Sequence, residues 1–119
     1  MISPQQAGDL AREWVTAFND HDLDAVLLHY ADDVVFSSPA VIDVTREPTG
    51  TLHGKKSLRE YFAKALDKYP DLGFELLHIL TGVSSVTIIY RSLHRGSLGA
   101  EVMTVNGEGR VSHVDCHYE

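Results

Sequence analysis

Hydrophobic positions near the start of the chain fall at helical spacing. Ala7, Leu10, Ala11, Trp14 and Phe18 make one stripe behind a start signal, with Ser3 as cap, Pro4 at the first helical position and Gln6 completing a capping box. Asn19, Asp20 and His21 interrupt that stripe. Asp22 then caps a shorter helix whose buried side is Leu23, Val26, Leu27 and Tyr30. Val34, Val35 and Phe36 read as a short strand that Ser38 and Pro39 end. From Ala40 to His53 no period is visible, and Pro48, Gly50 and Gly54 punctuate the segment. It reads as a long loop, with Val41, Ile42 and Val44 forming a small strand or a flap over an opening. A third helix is predicted over Gly54 to Tyr69. There Leu58, Tyr61, Phe62, Ala65, Leu66 and Tyr69 face inward, Lys55, Arg59, Lys64 and Lys68 face outward, and Pro70 is the stop.

The remainder alternates at strand spacing. Leu72 to Leu80 is one strand, its inward side ambiguous because leucine and isoleucine occupy both faces. Val83 to Tyr118 reads as a curved three-strand meander. Taking Arg95-Gly96 as a two-residue hairpin loop puts Tyr90 opposite Glu101 and Ile88 opposite Met103. Taking Asn106 to Gly109 as a four-residue turn brings Glu101 near Val114. One face of the meander then carries Val86, Ile88, Tyr90, Glu101, Met103, Val105, Val114, Cys116 and Tyr118. A lone carboxylate among mostly apolar neighbours is the most informative feature of the chain.

Three helices followed by antiparallel strands predict an α+β fold of one domain over residues 1–119. A sheet that carries helices on one face must curl around them into a cone, whose wide end is a natural small-molecule pocket. Composition narrows the partners. Ten basic residues against 17 acidic ones give a net charge of −7, which disfavours a nucleic-acid backbone. No apolar run has the length of a membrane span, and the N-terminus lacks a charged-then-apolar signal layout. Cys116 is the single cysteine, which excludes an internal disulfide and fits a cytoplasmic setting.

Several segments together resemble the NTF2-like superfamily, and within it the SnoaL-like and ketosteroid-isomerase-like branch. They are Ala11 to Val26 (AREWVTAFNDHDLDAV), Tyr30 to Phe36 (YADDVVF), Gly54 with Leu58 to Phe62 (LREYF), and Glu101 to Val111 (EVMTVNGEGRV). The resemblance implies a cone-shaped NTF2-like (cystatin-like) barrel, three N-terminal helices on a strongly curved, mainly antiparallel sheet. It also implies a homodimer through the convex sheet face, where Arg91, Leu93, Val102, His113, Asp115 and His117 would lie. Ketosteroid isomerases use an aspartate base before the proline that ends the first strand. They add a tyrosine on the first helix and a protonated aspartic acid on the sheet. Carried over by position, these fall on Ser38, Trp14 and Glu101. Serine does not shuttle a proton unaided, and an indole lacks a hydroxyl, so only the carboxyl survives. Steroid isomerisation by the family mechanism is therefore not expected.

What remains is a pocket for a small apolar or amphipathic molecule. Any turnover would be acid–base chemistry of isomerase, cyclase or lyase type without cofactor or metal. Glu101 is the expected titrating group and Tyr90 its orienting neighbour, while Trp14, Phe18, Tyr30, Ser38, Phe62, Ile88, Met103, Val114, Cys116 and Tyr118 are the expected ligand contacts. A non-catalytic carrier or sensor, or a dimerisation scaffold with a filled cavity, fits the same residues. His113, Asp115 and His117 alternate on one strand but on the face opposite Glu101, and two-apart spacing is a poor metal set. Cys116, with no histidine on its own face, reads as a small core residue rather than a nucleophile.

Overall fold

The computed structural model describes residues 1–119. Its first helix, α1 (Pro4–Asn19), starts at the capping box: Ser3 Oγ accepts from the Gln6 N–H, and the Gln6 side chain accepts from the Ser3 N–H. The stripe Ala7, Leu10, Ala11, Trp14 and Phe18 is buried, as its spacing predicts. α2 (Leu23–Leu27) is a single turn capped by Asp22, whose carboxylate accepts from the Ala25 N–H. β1 (Tyr30–Ser37) follows, then α3 (Pro39–Thr45), β2 (Thr51–His53) and α4 (Lys55–Lys68). The chain continues as β3 (Phe74–Thr81), β4 (Ser85–Ser92), β5 (Leu98–Val105) and β6 (Val111–Tyr118). The strands form one six-stranded sheet in the order β2-β1-β6-β5-β4-β3, antiparallel except for the β1–β6 pair. No helix is long and apolar enough to cross a membrane.

Two expectations are corrected here. The segment after Ser38 is neither a loop nor a strand flap, and the helices number four rather than three. Ser38 caps α3 by accepting from the Ala40 N–H, Pro39 occupies the first turn, and Arg46 closes the helix in the left-handed conformation. The same Ser-Pro pair that ends β1 therefore starts a helix, and Val41 anchors it in the core.

The second correction concerns register. Tyr90 lies opposite Gly99 and Ile88 opposite Glu101, while Glu101 faces Cys116 on β6. The β4–β5 loop is wider than two residues: Ser92 N–H donates to Ser97 O, Gly96 N–H donates to Ser92 O, and Gly96 sits at φ 75°. At the next turn the Asn106 side chain accepts from the Glu108 and Arg110 N–H groups, and a register shift follows between Thr104 and Val105. Each pairing moves by two residues. A shift of two preserves which side chains share a face, so the predicted residues stay together, while the extra residue Ser112 turns Val111 into the core as well. On β3 the register shifts between Leu76 and His78, which leaves Leu77 as an extra residue. Leu76 and Ile79 both pack against the core as a result, which is why no single alternation fits this strand.

The helices fill the concave side of the sheet. Asn19, at the end of α1, clamps the start of β3: Nδ2 donates to Phe74 O at 2.9 Å, and Oδ1 accepts from Phe74 N–H at 2.8 Å. The His21 ring reaches Leu72 O at 2.8 Å from a left-handed backbone. The residues that break the helix thus tie it to the far edge of the sheet. Arg59 on α4 pairs with Asp24 on α2, which holds those two helices together. Ser3→Ala should remove one half of the capping box and cost about 1 kcal/mol of stability, measured as a lower urea midpoint at unchanged m-value.

Candidate functional site

Glu101 lies on the middle of β5, facing the helices, and is 3% exposed. An ionised carboxylate in such surroundings is costly unless donors meet it. Tyr90, on the neighbouring strand, donates its hydroxyl to Glu101 Oε2 at 3.0 Å. The two are not directly opposite, and the diagonal reach depends on the residue that is. That residue is Gly99, where an added Cβ would stand 2.6 Å from the Tyr90 ring. A glycine inside a strand here makes room for the ring that holds the acid.

The Cys116 thiol is the second partner of Glu101. Burial raises the carboxyl to a pKa of about 7, and the bonds from Cys116 and Tyr90 pull the other way. Burial and the nearby Glu101 charge also raise the Tyr90, Tyr118 and Cys116 groups, so these stay protonated at neutral pH. Ser38 Oγ meets Tyr118 Oη at 3.0 Å. Cys116 lies within reach of both that pair and Glu101, so one line of hydrogen-bonding groups runs along the sheet side of the site. No buried side-chain oxygen or nitrogen lacks a partner. Tyr90 takes Oε2, and Glu101 also lines the open space beside it.

That space is a cavity of about 290 Å³ at the wide end of the cone, near the lower limit for ligand pockets. Its helix side is aromatic: Trp14 and Phe18 from α1, and Tyr61 and Phe62 from α4. Phe74 on β3 stacks on Trp14 with ring centroids 5.1 Å apart and meets Tyr90 at 4.3 Å. α3 supplies Asp43 and Val44 to the mouth, the end of β4 supplies Ser92, and the β4–β5 loop supplies His94, Arg95 and Ser97.

Of the expected contacts, Trp14, Phe18, Phe62, Tyr90, Glu101 and Tyr118 line this cavity. Tyr30, Ile88, Met103 and Val114 do not. They are packed in the core, because the cone narrows towards their end and the helices close over them. The Trp14 indole is not free to orient a ligand or Glu101, since Nε1–H donates to Tyr30 Oη at 2.9 Å. Ser38 and Cys116 sit behind the wall, bonded to Tyr118 and to one another's neighbours. Gly99, Phe74 and Tyr61 had not been expected at the site. An interior glycine flanked by strand residues was the available signal for the first. On the convex face Arg91, His113, Asp115 and His117 are exposed, Val102 is half-buried, and Leu93 instead belongs to the turn, where it leans over Gly73. His117 Nε2 lies 3.9 Å from Asp115, and no group of three metal-ligating side chains converges anywhere in the chain.

A strongly curved sheet wrapped around helices is the architecture of the NTF2-like fold. The chain belongs to the SnoaL-like family, whose domain model matches residues 11–118. A SnoaL-like protein of unknown function from Burkholderia thailandensis is 42% identical, covering 99% of this chain and 98% of that one, with a TM-score of 0.93. A protein of the SnoaL-like family from Agrobacterium tumefaciens, provisionally named an isomerase, shares the fold at 18% identity. It covers 97% of this chain and 98% of its own, with a TM-score of 0.77. An NTF2-like protein of unknown function from Burkholderia pseudomallei does so at 17% identity, 99% and 92% coverage, and a TM-score of 0.78. No curated protein matches the sequence.

The raised carboxyl links stability to pH. Between the ordinary glutamate value of 4.5 and about 7, the folded protein keeps a proton that the unfolded chain has released. Stability therefore falls as pH rises through that window and levels off above it. Glu101→Gln should abolish the fall and gain on the order of 3 kcal/mol at pH 8 relative to pH 4 when compared with wild type, read by urea denaturation at both pH values. Tyr90→Phe removes a bond that favours the charged form. It should move the upper limit of the window to more alkaline pH, seen in the same denaturation series.

Proposed function

We propose that the cavity binds a small, mainly apolar cyclic molecule and that Glu101 exchanges a proton with it, in isomerase, cyclase or lyase chemistry that needs no cofactor. The observation that supports this is Glu101 itself, a buried carboxyl that lines an aromatic cavity and changes protonation near neutral pH. A group of that kind is matched to both halves of a proton transfer. Protonated, it donates to a carbonyl or leaving oxygen; ionised, it withdraws a proton from an acidic C–H or O–H. The Tyr90 hydroxyl fixes the carboxyl plane and steadies the charge when it forms. Ser38, which the resemblance puts at the position of the ketosteroid isomerase base, is bonded to Tyr118. That favours a reaction in which one carboxyl both removes and returns the proton.

An open cavity favours this reading over a scaffold role. A carrier or sensor would use the same hollow without turnover, and the test separates the two. Native mass spectrometry of freshly purified protein should show a retained small molecule, which is then supplied to wild type and to Glu101→Gln. The variant should keep binding and lose turnover by about a hundredfold. Binding by both with turnover by neither identifies a carrier instead. The proposal extends to a homodimer through the convex face bearing Arg91, His113, Asp115 and His117, and to the cytoplasm, where the unpaired Cys116 stays reduced.

A further inference from the structure

The mouth of the cavity carries charge that the interior chemistry does not use. Ser92 lines it from the end of β4, His94, Arg95 and Ser97 from the β4–β5 loop, and Asp43 from α3. His94 is committed elsewhere: Nδ1 lies 2.6 Å from Asp71, and the ring packs on Tyr69 with centroids 4.6 Å apart. Arg12, Arg59, Arg91 and Arg110 each place a guanidinium on a protein oxygen. Arg46 and Arg95 do not, and of these two only Arg95 lines the cavity; its backbone N–H alone is engaged, by Ser92 Oγ. An unpartnered guanidinium flanked by the Ser97 hydroxyl thus stands at the opening of an otherwise apolar hollow.

Distance along β5 connects it to the interior. Ser97 at the mouth and Glu101 inside are four positions apart, and at strand rise this is roughly 13 Å. A flat two-ring body with a substituent at each end fills that span. We infer that the ligand is an amphipathic anion: a flat apolar body between the aromatic walls, a hydroxyl or carbonyl on Glu101 and Tyr90, and a carboxylate or similar group at the mouth against Arg95. The inference rests on the pocket reading above and specifies its ligand class. Asp43 lines the opening from α3, whereas Arg95 brings guanidinium donors, with Ser97 two residues further along the chain. The donor-rich side is the one an anion's oxygens use. The net charge of −7 makes the surface as a whole unattractive to an anion, and Arg95 is the basic side chain that lines the cavity.

The test is a pair of fluorescent probes that differ only at one end, 6-hydroxy-2-naphthoate and 2-naphthol, titrated into the full chain just below neutral pH. Wild type should bind the naphthoate about fivefold or more tightly than the naphthol, a modest gain because the pair is partly solvated. Arg95→Ala should erase that advantage and leave 2-naphthol unchanged, and Asp43→Asn should preserve or enlarge it. Equal binding of the two probes to wild type overturns the inference, as does an advantage that survives Arg95→Ala or vanishes in Asp43→Asn. In those cases 2-naphthol still binds and the pocket reading stands. If 2-naphthol does not bind wild type, the pocket reading fails and the anionic end fails with it.

Discussion

A carboxyl group among aromatic rings has to be held by donors that the fold itself provides, and the bond from Tyr90 to Glu101 is the one on which this site depends. It exists because Gly99 leaves space beneath the Tyr90 ring, so that the hydroxyl crosses diagonally to the next strand. Trp14, Phe74 and Tyr90 form a run of touching rings that fixes the tyrosine from the other side. The acid is therefore positioned by packing rather than by a counter-charge. With no cation beside it, burial dominates, and its protonation changes near neutrality instead of in the ordinary carboxylate range.

The hollow exists because the sheet bends and the helices stop short of filling it. Irregularities in the ladders, after Leu76, near Thr104 and between Tyr30 and Val35, increase the local twist of the sheet. α1 is fastened through Asn19 to β3, and α4 docks on β1 and β2, so the two long helices close the narrow part of the cone. α3 completes the rim from the opposite side, anchored by Val41 and by the Ser38 cap. The serine that caps this helix also bonds Tyr118, which couples the position of the rim to the cavity wall.

Much of this was legible in the order of residues, for a specific reason. Alternation along a strand tolerates an error of two in pairing, so Val86, Ile88, Tyr90, Glu101, Met103, Val114 and Cys116 could be placed on the inner face although both turns were drawn too tight. Helix boundaries at Ser3, Asp22 and Pro70 were visible because caps and stops act locally. α3 was not, since its seven residues are too few to display a period and Ser38-Pro39 signals both an end and a beginning. Which inward residues meet the hollow and which meet the core was hidden too. Tyr30 and Trp14 satisfy each other, a pairing across sixteen residues that depends on how α1 lies over the sheet. The mouth residues, Asp43, His94 and Arg95, come from two segments whose proximity only the closed cone creates.

The parallel alliance of β1 with β6 has an implication for how the molecule is made. β1 has only a three-residue partner, β2, until residues 111–118 arrive beside it. A growing chain leaving the ribosome can form its helices and the β3–β4–β5 ribbon as they emerge, yet the strand bearing Phe36 stays half-unpaired throughout. Closure is a late, long-range event joining segments some eighty residues apart, and until it happens the aromatic interior is open to solvent and to any chaperone that recognises exposed rings.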